Sequence, residues 1–379
     1  MKKCVVVSDS FKGTLSSAEI CRIAKKIVAE VFPDCETVTV PVADGGEGTV
    51  DCFVRFLGAA PVSVRVRGPF GEPVEATYAV MGQTAVIEMA AAAGLPLVSG
   101  NRDPAAASTF GVGEMILSAV DSGCRKILLG LGGSATNDCG CGCAAALGVS
   151  FLRADGSAFV PVGGSLSEIA DINVSKALKR LENVAICAMC DVENPLYGEN
   201  GAAFVYAPQK GADAGTVRFL DGQLRHIGAL IAEKFGAGIP DAPGAGAAGG
   251  MGAGCMAFLK ARLCSGAQAI LDAVGIDGCL DGADLVITGE GRIDAQSAQG
   301  KLISSLTARA RAAGVPVVAL VGRVDDSASS LYARGVEAMF SINRALRPLE
   351  DMALRSADDY AAALRDILML IKLAEEFRR

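Results

Sequence analysis

Hydrophobic positions change period along the chain. Residues 4–7 are a short apolar run that ends in Ser8-Asp9-Ser10, the pattern of a buried parallel strand followed by a polar loop. Ser16-Ser17-Ala18-Glu19 has the form of a capping box. After it Ile20, Ile23, Ala24, Ile27, Val28 and Val31 recur at helical spacing. Residues 37–42 predict the next strand, which runs into Ala43-Asp44-Gly45-Gly46-Glu47-Gly48. This is a β-α-β unit with its polar loops at the carboxyl ends of strands, where ligands bind in open α/β sheets.

From Pro61 the period becomes two. Val62, Val64 and Val66 alternate with Ser63, Arg65 and Arg67; residues 68–73 read as a turn; Val74, Ala76, Tyr78 and Val80 alternate again, and residues 84–87 predict a third strand. Helix–strand alternation returns over 109–149, with a strand at 126–129. Further apolar strands are predicted at 184–189, 284–288, 315–321 and 336–341, and a last helix near Ser356 with Tyr360, Leu364, Ile367 and Ile371 on one side. The predicted class is α/β. A Rossmann-like, doubly wound parallel-sheet domain over 1–60 and 280–379 is interrupted by a second α/β domain, with a mixed or antiparallel sheet, over 61–279.

Composition narrows the partners. The net charge is −7 and no Lys/Arg run occurs, which argues against nucleic acid. The amino-terminal apolar run is too short for a signal peptide, and no stretch is long and apolar enough for a membrane span, so a cytoplasmic protein without membrane attachment is expected. The thirteen cysteines are scattered, many inside apolar runs, and read as reduced, buried thiols. Cys139, Cys141 and Cys143 lack knuckle spacing and read as small core fillers. With His226 the single histidine, set in a helix-like run, acid–base work falls to carboxylates and lysines.

Chemistry concentrates in glycine-rich loops. Residues 126–138 read as a strand, then Gly130-Leu131-Gly132-Gly133-Ser134-Ala135-Thr136-Asn137-Asp138, then a small-residue helix. Such a turn offers N–H groups to an anion, and the Ser134 and Thr136 hydroxyls could add donors. No Walker-type phosphate loop is present. Gly244-Ala245-Gly246-Ala247-Ala248-Gly249 matches a dinucleotide fingerprint, but Pro240 and Pro243 stand where its strand should be, so a close backbone approach is the better reading. Lys12, Lys210 and Lys301 each sit beside glycine, suited to neutralising an anion. Asp191, in Cys190-Asp191-Val192-Glu193-Asn194-Pro195, falls at a predicted strand end, where a carboxylate can bind Mg2+ or accept a hydroxyl proton; an Asx turn is the alternative.

Taken together, Ser8–Gly13, Pro41–Thr49, Gly132–Asp138, Cys190–Leu196, Pro208–Ala212, Gly246–Met251 and Ile287–Asp294 resemble the glycerate kinase family, in family order over nearly the whole chain. Cys139, Cys143 and Tyr197 depart from it on the flanks of these motifs. The resemblance implies ATP-dependent phosphorylation of glycerate, in this branch D-glycerate to 2-phospho-D-glycerate, at a cleft between the domains. It implies ATP and Mg2+ as cofactors and leaves a homodimer open. Phosphoryl transfer asks for positioning and charge neutralisation. Gly45, Gly46, Gly132, Gly133, Ser134, Thr136, Asn137, Gly249, Gly250, Glu290 and Lys301 are then the candidates for the nucleotide. Asp44, Glu47 and Asp191 are candidates for the metal, Ser10, Arg292 and Lys210 for the glycerate, and Lys12, Asp191 and Asp294 for catalysis. Two rivals stay open, a kinase for another hydroxy acid or sugar acid and a nucleotide-binding regulatory protein without turnover; glycerate-dependent ADP release separates them.

Overall fold

The computed structural model describes residues 1–11, 13–42, 48–98, 100, 102–294, 302–345 and 349–377. The chain divides into two compact units, Met1–Asp44 with Ala267–Arg379, and Gly45–Gly266. The second unit is thus inserted in the first. Its ends lie earlier than the boundaries read near 60 and 280. Helix Thr49–Leu57 joins the inserted unit despite preceding the change of period; its Val50 N–H donates to Glu88 Oε1 at 2.7 Å. Gly266 N–H donates to Asp191 Oδ1 at 3.2 Å at the other end.

The first unit is a five-stranded parallel sheet in the order Val336–Ser341, Val317–Val321, Leu285–Gly289, Lys3–Ser8, Glu36–Pro41. Inner strands Leu285–Gly289 and Val317–Val321 are buried at every residue, which is why they read as unbroken apolar runs; the edge strands are mixed. The pleat sends alternate side chains to opposite faces. Val318 and Leu320 pack in a cluster with Ile20, Ile27, Val28, Tyr360 and Leu364, whereas Ala319 and Val321 join Ile293, Ile303, Leu331 and Val336. Both faces are therefore covered, one by helices Ser17–Val31 and Leu349–Phe377 and the other by Leu302–Ala312. The predicted capping box forms: Ser16 Oγ accepts from Glu19 N–H at 3.2 Å, and Ser16 N–H donates to Glu19 Oε2 at 3.0 Å. The last helix spans Leu349–Phe377, so it begins before the start read near Ser356.

Numbered along the chain, these five strands lie in the order 2-1-3-4-5. Connections turn to opposite sides of the sheet between Lys3–Ser8 and Leu285–Gly289. A doubly wound sheet opens a crevice at that switch point, outside the carboxyl ends of the two strands.

The inserted unit has a six-stranded mixed sheet, in the order Arg262–Cys264, Ala185–Met189, Lys126–Gly130, Thr84–Glu88, Pro73–Met81, Ala60–Arg67. The first four strands are parallel and the last two antiparallel. The predicted meander is thus present, and its third strand hands over to a parallel array. A small antiparallel sheet of Ala158–Phe159, Ser150–Leu152 and Asp171–Asn173 stands apart from it. Among the described residues no helix is long and apolar enough to cross a membrane.

One pair of cysteines departs from the reading of reduced thiols. Cys187 and Cys264 form a disulfide across neighbouring strands, with Cα atoms 6.1 Å apart. Parallel register sets Met189 opposite Cys264 and Cys187 opposite Arg262, so both sulfurs lie on one face. Pairing across a separation of 77 residues follows from the sheet and not from local spacing. Cys139, Cys141 and Cys143 are fully buried.

Candidate active site

At the switch point of the first unit, two loops are tied together. Ser8 Oγ donates to Gly289 O at 3.0 Å, and Asp9 N–H donates to the same carbonyl at 2.9 Å. Asp9 Oδ1 accepts from the adjacent Ser10 N–H at 2.6 Å, a local bond at the start of the Ser10 loop. A Cβ on Gly289 would stand 2.1 Å from Leu320 O, so this position requires glycine for the close approach of the neighbouring strand. Beyond it, the two-residue strand Arg292–Ile293 pairs in parallel with Arg323–Val324. Arg292 is more than half exposed. Its Nη2 donates to Asp325 Oδ2 at 2.9 Å, and its Nε lies 3.9 Å from Asp294 Oδ2. Hydrogen bonds from Ser327, and then from Arg292, hold the Asp325 carboxyl below its ordinary range. The structure thus brings Ser10, Glu290, Arg292 and Asp294 to adjacent strand ends of one sheet. Asp325 is an addition the sequence did not signal, since nothing in its neighbourhood forms a motif.

The carboxyl ends of the parallel strands in the inserted unit carry the other residues. Strand Lys126–Gly130 leads into the 131–138 loop. Leu95 N–H donates to Gly133 O at 2.9 Å and Ala135 N–H to Ala93 O at 2.8 Å, which pin one side of this loop. Gly133 has φ +74° and is exposed at the tip. Ser134, Thr136, Asn137 and Asp138 are buried beneath.

Lys210, on the short turn Pro208–Lys210, reaches the loop from below. Its Nζ donates to Ser134 Oγ at 2.9 Å and to Thr136 O at 2.6 Å. Burial pushes its pKa down to about 7, against an upward pull from Asp138. Asp138 Oδ2 accepts from Thr109 N–H and Thr109 Oγ1, both at 2.8 Å, and from Gly142 N–H at 3.2 Å; Oδ1 accepts from Gly140 N–H at 3.1 Å. Thr109 Oγ1 in turn accepts from Cys143 N–H at 2.9 Å. Burial raises the Asp138 pKa, and these bonds pull it back. Three backbone N–H groups and a hydroxyl directed at the carboxyl favour its ionised form against burial. Asp138 therefore ties together the starts of helices Phe110–Asp121 and Cys141–Leu147. Thr109 was not legible as a partner, because it lies 29 residues away in no motif.

Ala248, Gly249 and Gly250 make a left-handed turn under the loop. A Cβ on Gly249 would meet Thr136 O at 2.1 Å and one on Gly250 would meet Cys139 Cα at 3.1 Å. No strand precedes this segment, so the dinucleotide-like spacing serves close packing, as read from its prolines. Thr136 Oγ1 and both amide atoms of Asn137 are buried and find no partner among the described residues. Asp191 lies exposed at the end of strand Ala185–Met189. The turn after it is held by Asn194, which donates to Asn200 O at 2.8 Å and accepts from Tyr206 Oη at 2.5 Å. His226 Nε2 lies 2.8 Å from Ile169 O, a structural partner. Among the described residues no group of three His, Cys, Asp or Glu side chains is arranged to hold a metal ion. Lys12, Asp44, Gly45, Gly46, Glu47 and Lys301 lie outside the described residues.

Loops of glycine, hydroxyl and carboxylate at the strand ends of two parallel arrays define an α/β enzyme that handles small anions. The comparisons are specific. The model of the glycerate kinase family matches residues 4–372. A glycerate kinase of Bacillus cereus is 42% identical over 377 residues, covering 99% of each chain. A glycerate 2-kinase of Escherichia coli is 41% identical over 368 residues, covering 96% of this chain and 97% of its own. The crystal structure of a putative glycerate kinase 2 from Salmonella typhimurium superposes with a TM-score of 0.86 at 39% identity, covering 99% of each chain. The chain belongs to the glycerate kinase family.

Proposed function

We propose that this enzyme transfers the γ-phosphoryl group of ATP to the 2-hydroxyl of D-glycerate, giving 2-phospho-D-glycerate. The observation that carries this reading is the match to glycerate kinases along essentially the full chain, with one relative named for 2-phosphorylation. It is supported by the anion-suited loops at the strand ends, for phosphoryl transfer is catalysed mainly by positioning and charge neutralisation.

In this reading the backbone of half-buried Gly132 and exposed Gly133, with Gly45 and Gly46, cradles phosphate, and Ser134, Glu290 and Lys301 complete the nucleotide site. Thr136 and Asn137 support the loop from beneath, and Gly249 and Gly250 allow the closest packing under it. Mg2+, when bound, would neutralise phosphate charge; Asp191 fits as a ligand because its carboxylate is exposed at a strand end, and Asp44 and Glu47 are the companions proposed for it. Ser10, Arg292 and Lys210 serve the glycerate. Arg292 suits the carboxylate because a guanidinium binds one bidentately, and Asp325 holds its far edge. Lys12 offsets charge on the transferring group. Asp191 and Asp294 are the two carboxylates that would orient or deprotonate the hydroxyl. A cytoplasmic enzyme accords with this substrate.

Incubation with ATP, Mg2+ and D-glycerate, followed by phosphorus NMR of the product, tests activity and regiochemistry together. A single 2-phosphoglycerate resonance is expected. A 3-phosphoglycerate signal would reassign the hydroxyl, and ATP binding without glycerate-dependent ADP release would remove the activity.

A further inference from the structure

Lys210 presents a directional hydrogen-bonding problem. An ammonium has three donors and no acceptor, so both of its contacts, to Ser134 Oγ and to Thr136 O, are donations from Nζ. The Ser134 oxygen is thereby occupied as an acceptor, and its own hydrogen must go elsewhere. Among the described residues no acceptor for it is found. Ser134 keeps 6% of its surface and adjoins exposed Gly133, while Lys210 keeps 2%. No carboxylate among the described residues is within ion-pair distance of Nζ. Nζ touches only neutral oxygens and Asp138 acts on it only from beyond ion-pair distance, so the buried charge is incompletely compensated and an anion at the loop would lower its cost.

We propose that Lys210 acts through Ser134: the ammonium fixes the Ser134 hydroxyl as an outward donor to an anionic oxygen of a ligand, and its positive charge strengthens that donation across one hydroxyl. Ser134 touches the ligand and Lys210 is a positioning residue. The ligand chemistry is an oxyanion, either the carboxylate of the hydroxy acid or a phosphoryl oxygen of the nucleotide. The inference rests on the glycerate kinase reading for the choice of these two probes.

The charged group that acts on Lys210 is Asp138; Arg102 bonds to the same short turn, its Nη1 donating to Gln209 O at 3.3 Å. Burial lowers the Lys210 pKa to about 7, so its charge is lost as pH rises through neutrality. Oxyanion affinity should fall with it. A bound anion favours the charged form, so in the complex this loss moves to higher pH.

The test is a double-mutant cycle by calorimetry on Ser134→Ala, Lys210→Met and the double variant. D-glycerate and, with Mg2+, the non-hydrolysable AMP-PNP are titrated separately. For one of the two probes each single variant should weaken binding about 10-fold or more, the range for a charge-assisted hydrogen bond. The double variant should lose no more than the weaker single, to within about twofold. Coupling with D-glycerate places the carboxylate at Ser134; coupling with AMP-PNP places a phosphoryl group there. Independent, multiplicative losses, unchanged affinity for both probes, or a wild type that binds neither would overturn the proposal. Should Lys210→Met fail to fold, Ser134→Ala alone decides through pH. Between pH 6 and 9 the wild-type affinity for the responding probe falls more steeply than that of Ser134→Ala, a comparison in which the probe's own ionisation cancels. Equal slopes would reject the relay. Product NMR on wild type is read independently: binding and coupling without phosphoglycerate would retain this relay and reject the glycerate kinase reading.

Discussion

The strand-end loops of the two units handle charge in opposite ways. In the first unit the Arg292, Asp294 and Asp325 side chains lie near the surface and pair with one another, with Arg292 more than half exposed. Water screens such pairs, and each contributes little to stability, about 0–1 kcal/mol. In the inserted unit Lys210 and Asp138 are buried, and each is held by fixed dipoles instead of water. There the same charges act more strongly and are costlier to disturb. Substitutions of the exposed charges should therefore alter function and spare the fold, whereas those of the buried charges in the inserted unit should alter both.

The largest expected effect breaks the inserted unit. Asp138→Ala leaves the Thr109, Gly140 and Gly142 donors buried without an acceptor and should cost on the order of 3 kcal/mol or more in denaturant unfolding. A midpoint close to wild type would mean that the carboxylate does not organise the two helix starts. Next comes Asp191→Asn, exposed and at a strand end, for which kcat should fall about 100-fold or more with an unchanged melting temperature. Near-normal turnover would remove Asp191 from the catalytic set. Arg292→Ala should raise the KM for glycerate about 10-fold while unfolding is unaffected. If KM holds steady, Arg292 serves only its pair with Asp325.

A pH series sharpens the contrast. Lys210 has a folded pKa near 7, below the unfolded value, so between those two values the unfolded chain binds the extra proton. Stability must then rise with pH from about 7 upward, and below 7 the full cost of the buried charge is present. The melting temperature of wild type relative to Lys210→Met should increase from pH 6.5 to pH 9, while oxyanion affinity falls over the same window. A constant difference would show that the ammonium is not destabilised by burial. The smallest effect is expected at Ser16→Ala, which removes one capping bond from helix Ser17–Val31 and should lower stability by about 1 kcal/mol, without change in kcat.

Much of the architecture was legible in the chain. Strands at 4–7, 126–129, 184–189 and 336–341 follow from apolar runs, and the capping box at Ser16 and Glu19 marks its helix start. These are signals between near neighbours, where backbone period and local hydrogen bonding decide the outcome. The boundary near 60 was displaced because a change of period reports a change of element. It does not report which unit helix Thr49–Leu57 packs against. The disulfide was missed for a related reason, since register between strands from distant parts of the chain brings Cys187 to Cys264.

The sequence by itself determined the element types, the glycine loops and their acids, and the family to which they point. Tertiary structure decided how those side chains are used. It set Lys210 against Ser134 across 76 residues, buried Asp138 under donors from Thr109, and paired Arg292 with Asp325. The physical reason is that period and capping are properties of adjacent residues. Desolvation and hydrogen-bond partnership belong to pairs that only the folded chain brings together.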